Sequence, residues 1–338
     1  MRVAFDSRPT AEPTGVGRYS RCLLEALRAT AAADDELVEV RRQTATLMPR
    51  KPDVFHSPWI DGAMLHSPCP MVVTVHDLAA LKRRSEHLRT GLRLRLRHLA
   101  VQRAICVIVP TAAVAADAVK HLRLERDRIV VIAEAAAASM YRREAAEIAA
   151  ARARFGLPER YLVWVGGLRH PDPGKHIAQL ASAERELPLV LVGATRPWAH
   201  ELPDVLLTGQ VSDDQLAAIY SGAHALVLPS ESEGFGLPAV EALACGTPVI
   251  ACDAPALRES LGGRATFVAR GDMAALIAAA QAVQRPAPPP PQWSWEDAAR
   301  STWAVYARTS AAVDTQRTSP RGLRRLPGGA AGIDGLEV

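Results

Sequence analysis

Short apolar runs of strand length recur along the whole chain. They fall at Arg2–Asp6, Leu37–Val40, Val54–His56, Met71–Val75, Ala104–Val109 and Ile129–Ala133. A second series follows at Tyr161–Val165, Leu189–Val192, Val205–Leu207, Ala225–Leu228, Val249–Ala251 and Thr266–Ala269. Stretches of helical period separate most of them. The first is Val16–Thr30, with Leu23, Leu24 and Leu27 on one face, and later ones include Asp213–Ser221 and Pro238–Cys245. Strands alternating with helices predict an α/β fold of parallel sheets covered on both faces. The helix ending at Phe155 runs into Gly156-Leu157-Pro158, a punctuation that predicts a domain boundary. Two α/β halves are therefore expected, 1–156 and 157–285. A stiff Pro-rich linker at 286–292 comes next, then a helix over 293–310 and a disordered tail over 311–338.

Composition changes this picture little. The chain has 338 residues, 49% hydrophobic and 22% charged, which suits a soluble globular protein with room for two cores. No basic-then-apolar leader and no apolar run of membrane-spanning length is present, so a cytoplasmic protein is expected. The five cysteines form no C-x-x-C pair, which argues against structural zinc and against a disulfide framework. Residues 81–103 are the most basic stretch. Leu88, Leu92, Leu96 and Leu99 make one helical stripe there, and Arg89, Arg93 and Arg97 make another. This is either a solvated face whose leucines pack on the domain or a peripheral contact with an anionic membrane. Without interleaved aromatic residues or a binding motif, nucleic acid is not expected. Trp293, Trp295, Trp303 and Tyr306 lie at helical spacing near the end and are expected to be packing residues.

The candidate chemistry centres on Glu233–Asp253, EGFGLPAVEALACGTPVIACD. Glu233 follows a strand, and Glu241 lies one turn into a short helix opened by Pro238 and closed by Gly246. Glycines allow close backbone approach, and a helix start favours an anion. Two carboxylates flanking an anion site would repel phosphate but hold hydroxyl groups well, because each accepts O–H bonds. That combination describes a nucleotide sugar. A comparable strand–loop–helix lies at the N-terminus, where Gly15 and Gly17 open the first helix. Ser20 stands where a dinucleotide fingerprint would have its third glycine, so a nicotinamide cofactor is disfavoured. His76-Asp77 falls at the end of another strand, where open α/β sheets bind ligands.

The Glu233–Asp253 stretch resembles the donor-site signature of the retaining group 1 (family 4) glycosyltransferases of GT-B fold. TGVGRY at 14–19 is similar to the opening of mannosyltransferase-like members, and TVHDL at 74–78 resembles another of their segments. The resemblance covers about residues 1–308. It implies two Rossmann-like domains facing a cleft, with the last helix crossing back to the first domain. It also implies a metal-independent hexosyl transfer from a GDP- or UDP-sugar to a glycan, lipid-linked or small-molecule acceptor. On this reading Glu233 contacts the hexose, together with Gly234, Phe235, Gly236 and Leu237, and Glu241 contacts the ribose. His76 faces the donor sugar, while Gly15, Gly17 and Gly167 lie near the phosphates. Gly209 and Val211 lie near the base, and Lys175 with Arg169 steadies the leaving diphosphate. No metal ligand and no cofactor is expected.

Two departures are visible. Gly174 stands where these enzymes commonly carry an arginine beside the lysine, and EAAAASMY (134–141) replaces their usual Gly-Val-Asp turn. Both motivate an alternative, a catalytically silent GT-B protein that binds a nucleotide sugar or a partner enzyme. An epimerase or a phosphorylase on the same fold is a further alternative.

Overall fold

The computed structural model describes residues 1–41, 51–78 and 95–318, with side chains as far as residue 312. Two six-stranded sheets organise them. The first contains β1 (Arg2–Asp6), β2 (Glu36–Val40), β3 (Val54–Ser57), β4 (Met71–Thr74), β5 (Cys106–Val109) and β6 (Ile129–Val131), in the order β2-β1-β3-β4-β5-β6. The second contains β7 (Leu162–Val165), β8 (Leu189–Val192), β9 (Val205–Gly209), β10 (Ala225–Leu228), β11 (Val249–Cys252) and β12 (Ala265–Val268), in the order β12-β11-β10-β7-β8-β9. Neighbouring strands pair in parallel, for example Val3 with Val54 and Leu162 with Leu189.

The side-chain period of two explains why these runs are apolar throughout. Val3 and Phe5 of β1 enter one buried cluster while Ala4 enters another, and β4 and β5 divide in the same way at Val72/Val73 and Ile108/Val107. These three strands are thus covered on both faces. The helices that cover the sheets and tie the halves together are α1 (Gly15–Thr30), α2 (Ala112–Leu122), α3 (Ala145–Phe155), α4 (Ile177–Ser182), α5 (Asp213–Gly222), α6 (Leu237–Ala244), α7 (Pro255–Leu261), α8 (Met273–Ala282) and α9 (Trp295–Thr318). Residues 95–102 are helical as well.

Helix α9 returns to the first half and packs on α1. The Trp303 indole N–H donates to the Leu27 carbonyl at 3.2 Å, and the Trp295 ring meets Tyr19 edge-on at 5.6 Å. Tyr306 is fully buried, and its hydroxyl lies 2.6 Å from Nδ1 of His56, whose Nε2 is 2.9 Å from the Thr74 hydroxyl. Burial drops the His56 pKa to about 3, so this ring is neutral, with one nitrogen accepting and the other donating. The late aromatic cluster is packing, as its spacing predicts.

Several expected boundaries shift. Strands β5 and β6 are shorter than their apolar runs, and the helix ending at Phe155 begins at Ala145. Helix α9 continues to Thr318, so residues 311–318 are helical where a disordered tail was expected. Residues 79–94, most of the basic stretch, lie outside the described residues, as do 319–338.

In both sheets the chain reverses direction of winding beside the first strand, between β1 and β3 and between β7 and β10. Ligands of open α/β sheets bind off the carboxyl ends of strands at such points. The loops after β1, β4, β7, β9 and β10 carry most of the candidate residues, and the two halves turn these loops toward each other.

Candidate active site

Polar bridges tie the two halves to one another. Arg18 in the first turns of α1 reaches Asp213 at the start of α5 with two hydrogen bonds of 2.7 and 3.1 Å. The Thr111 hydroxyl donates to the Gly234 carbonyl at 3.0 Å. The Glu259 carboxylate accepts from the backbone N–H groups of Ala112 and Ala113, at 2.6 and 3.0 Å, and so caps α2 from the opposite half.

Between these bridges lies a cavity of about 360 Å³ whose walls come from both halves. From the first half come the start of α1 with Gly15, Arg18 and Arg21. From the second come Gly167, Val211, Leu237 and Glu241. Glu241 is almost completely buried, and Arg18 Nε lies 3.0 Å from its Oε1. The N–H is not aimed along that contact, and among the described residues Oε1 has no hydrogen-bond donor. Burial pushes the Glu241 carboxyl up to about 7; Arg18 opposes the shift, and Asp213 and Glu134 add to it.

A raised carboxyl pKa stabilises the fold fully below the ordinary value of 4.5, and this contribution is lost as pH rises through about 7. Stability of the ligand-free protein should therefore fall between pH 5 and 7.5, with a shallower fall in Glu241→Gln, whose side chain cannot titrate. Urea midpoints of both proteins at the two pH values check this. His76 acts with the same sign above pH 6.5, so the difference between the proteins is the informative quantity.

A second cavity, of about 830 Å³, adjoins the loops after β4, β7 and β10, and Lys175, Glu233 and Asp77 line it with the first residues of α2. Lys175 Nζ donates to Glu233 Oε1 at 2.6 Å, so the expected phosphate cation and the expected hexose ligand hold each other. Burial disfavours the Lys175 charge, but Glu233 more than offsets this and holds the ammonium above its ordinary pKa.

The remaining expected residues divide. Gly15, Gly167, Val211 and Leu237 line the first cavity; His76, Gly17, Gly209, Gly234, Phe235, Gly236 and Arg169 line neither. Gly17 is required by crowding, since a Cβ there would lie 1.9 Å from the Glu12 carbonyl oxygen. The Phe235 ring packs on Trp293 at 5.3 Å and is buried, and the Phe235 carbonyl accepts from the Ser260 hydroxyl. Gly236 caps α6 at φ +90°, and Gly209 turns the chain after β9 at φ +71°. Arg169 is half exposed and faces Glu12 at 3.8 Å. The structure does not bring it to the Lys175–Glu233 pair.

His76 is held between two acceptors, the Pro58 carbonyl at 2.9 Å from Nε2 and Glu134 Oε1 at 3.1 Å from Nδ1. Burial opposes its charge, but the Glu134 bond and charge and the Pro58 carbonyl raise its pKa overall. The Tyr19 ring closes the remaining side edge-on at 4.5 Å. Glu134 and Arg18 were not among the expected site residues, although both stand inside segments that drew attention. A buried charge with an opposite charge far away in sequence leaves no local signature.

Both halves match known sequence families. The family described as Glycosyltransferase Family 4 matches residues 5–135, and Glycosyl transferases group 1 matches residues 159–285. The chain belongs to the group 1, family 4 glycosyltransferases of GT-B fold. It is 25% identical over 263 residues to O-antigen chain mannosyltransferase B of Escherichia coli, covering 72% of this chain and 68% of that one. It is 31% identical over 272 residues to D-inositol 3-phosphate glycosyltransferase of Thermobispora bispora, covering 70% of this chain but 61% of the relative. The same fold is seen in sucrose-phosphate synthase from Thermosynechococcus elongatus, with TM-score 0.66, 21% identity and coverage of 94% and 98%. It is also seen in Anabaena HepE solved with UDP and glucose, with TM-score 0.64, 16% identity and coverage of 94% and 99%.

Proposed function

We propose that this protein transfers a hexose, mannose-like or glucose-like, from a nucleotide diphosphate sugar to a hydroxyl of a glycan, lipid-linked or small-molecule acceptor. The transfer retains the anomeric configuration and uses no metal ion. One observation carries the reading: the buried Glu241 carboxylate, with an oxygen lacking a donor, in the wall of a cavity shared by both halves. A ribose diol supplies the O–H donors such an oxygen lacks. The relatives named for mannosyl and glycosyl transfer support the reading, as does the HepE structure with UDP.

On this reading the ribose binds at Glu241, the base lies toward Val211, and the diphosphate lies beside Gly167 and the start of α1. Lys175 exchanges its bond with Glu233 for the β-phosphate, freeing Glu233 to position the hexose. As the glycosidic bond breaks, charge builds on the leaving phosphate, where Lys175 steadies it. That phosphate accepts the acceptor's proton on the same face, which gives retention without a protein nucleophile. His76, fixed by Glu134, shapes the loop that faces Gly234.

Calorimetric titration with UDP- and GDP-sugars, repeated on Glu241→Ala, tests the donor site. We expect one base to bind and the variant to bind it roughly 10- to 100-fold more weakly, from loss of charge-assisted hydrogen bonds. Absence of binding to every nucleotide sugar would sink the reading. Donor binding without turnover for any acceptor would favour the silent binder, which Gly174 and the placement of Arg169 motivate.

We also place the protein in the cytoplasm, in reach of the inner membrane face. None of the helices among the described residues is long and apolar enough to cross a membrane. All five cysteines are free thiols. Leu96 and Leu99, at the described end of the basic stretch, are exposed beside Arg97. Co-sedimentation with phosphatidylglycerol vesicles should exceed that with phosphatidylcholine vesicles and fall with salt; equal recovery would remove the membrane contact.

A further inference from the structure

Arg18 is a cation that the transfer chemistry above leaves unused. It lies in the wall of the first cavity, on the first half, facing the proposed ribose and diphosphate positions on the second. Two of its N–H groups are committed to Asp213, which is itself half exposed. Its Nε contact with Glu241 has the distance of an ion pair but not the direction of a hydrogen bond, and the Glu241 oxygen stays without a donor. A guanidinium has five donors, so this is a strong Coulombic contact with hydrogen-bonding capacity left open on both sides.

We propose that Arg18 is a phosphate ligand for the donor, parked on Glu241 while the site is free. The inference rests on the donor-site reading given above. When a ribose diol donates to Glu241, the carboxylate no longer depends on Arg18. The guanidinium then turns to the diphosphate while Asp213 keeps its stem in place. Three features of the wall favour this destination. Arg21 adds a second positive charge, the start of the 16-residue helix α1 adds a favourable dipole, and Gly167 leaves room for phosphate on the facing loop. Gly174 brings no charge beside Lys175, so the second cation over the diphosphate comes from the opposite half. Donor binding would thereby exchange one link between the halves, Arg18–Glu241, for another made through the donor itself.

The arrangement predicts opposite effects on two ligands. A nucleoside competes with Arg18 for Glu241 and gains nothing from it, whereas a nucleoside diphosphate replaces that contact with a charge-assisted bond. The test is calorimetric titration of wild type, Arg18→Ala and Arg18→Lys with uridine, UDP, guanosine and GDP, after circular dichroism shows the same fold content. For the base the wild type prefers, Arg18→Ala should bind the diphosphate roughly 10-fold or more weakly. It should bind the nucleoside as well as wild type does, or better, and Arg18→Lys should lie between. An equal loss for nucleoside and diphosphate would make Arg18 a merely structural bridge and overturn the inference. So would unchanged diphosphate affinity. A wild type that binds none of the four ligands overturns the donor-site reading itself, an outcome distinct from either of those.

Discussion

Lys175→Ala should lower turnover by roughly 10²- to 10³-fold, the loss typical when one fixed donor to a developing oxyanion is removed. The physical reason is timing. Charge on the β-phosphate grows as the glycosidic bond breaks, so a cation fixed there is worth more in the transition state than in the bound donor. The lysine is prepared for this role by its surroundings, since Glu233 at 2.6 Å keeps the ammonium charged although two-thirds of the side chain is out of solvent. Steady-state kinetics beside donor calorimetry separates the two contributions. The fall in kcat should exceed the fall in donor affinity, and Lys175→Arg should recover part of it by restoring charge with a different shape. A variant with full turnover would remove Lys175 from the chemistry. Weakened binding at unchanged kcat would leave it only a uniform binding role.

Gly234→Ala should damage activity on a similar scale even though Gly234 lines neither cavity. A Cβ at this position would lie 1.8 Å from the His76 carbonyl oxygen and 2.8 Å from its carbon, distances no methyl group can hold. The obstacle is backbone on the opposite half, so rotation of a side chain cannot relieve it. The loop carrying Glu233 must move away from the His76 loop, and the Thr111–Gly234 bridge of 3.0 Å must lengthen. Displacement of about 1 Å at a catalytic loop costs roughly 10²-fold in rate. Each half has its own six-stranded sheet, so the far-ultraviolet circular dichroism should stay that of wild type. Small-angle scattering should show a wider cleft. Gly263→Ala is the matching control, because a Cβ there meets nothing within 4 Å. Equal activity in the two variants would show that the close approach of Gly234 to His76 has no part in setting the cleft.

The parts of the protein that local chemistry decides were legible in the chain. Runs such as Leu189–Val192 and Ala225–Leu228 are apolar throughout, and burial on both faces of a parallel sheet asks for that pattern. Pro238 and Gly246 bracket α6 because the ends of a helix have different demands, and the helix begins only one residue earlier than its proline suggests. Glu233, Lys175 and Gly167 fall on loops at strand ends, where topology alone directs them to the cleft. Helix α9 was expected to stop short because Ser, Thr and Ala near its end carry little apolar signal, yet those residues continue a helix already anchored by Trp303 and Tyr306.

Contacts between distant parts of the chain follow a different rule. Arg18 and Asp213 are 195 positions apart, and His76 and Glu134 are 58 apart. Nothing in the residues around Arg18 distinguishes a bridge to a buried carboxylate from an exposed helical arginine. Arg169 shows the converse case: its place on the loop after β7 suggested Lys175 as a neighbour, and the fold turned it toward Glu12. Phe235 stands inside the most recognisable stretch of the chain, but Trp293, arriving from the far end, gives it a packing partner. Periodicity and turn chemistry depend on residues a few positions apart and can be read along a line. Ion pairing, burial of charge and crowding depend on which surfaces meet when two sheets close, and that was settled only by the tertiary structure.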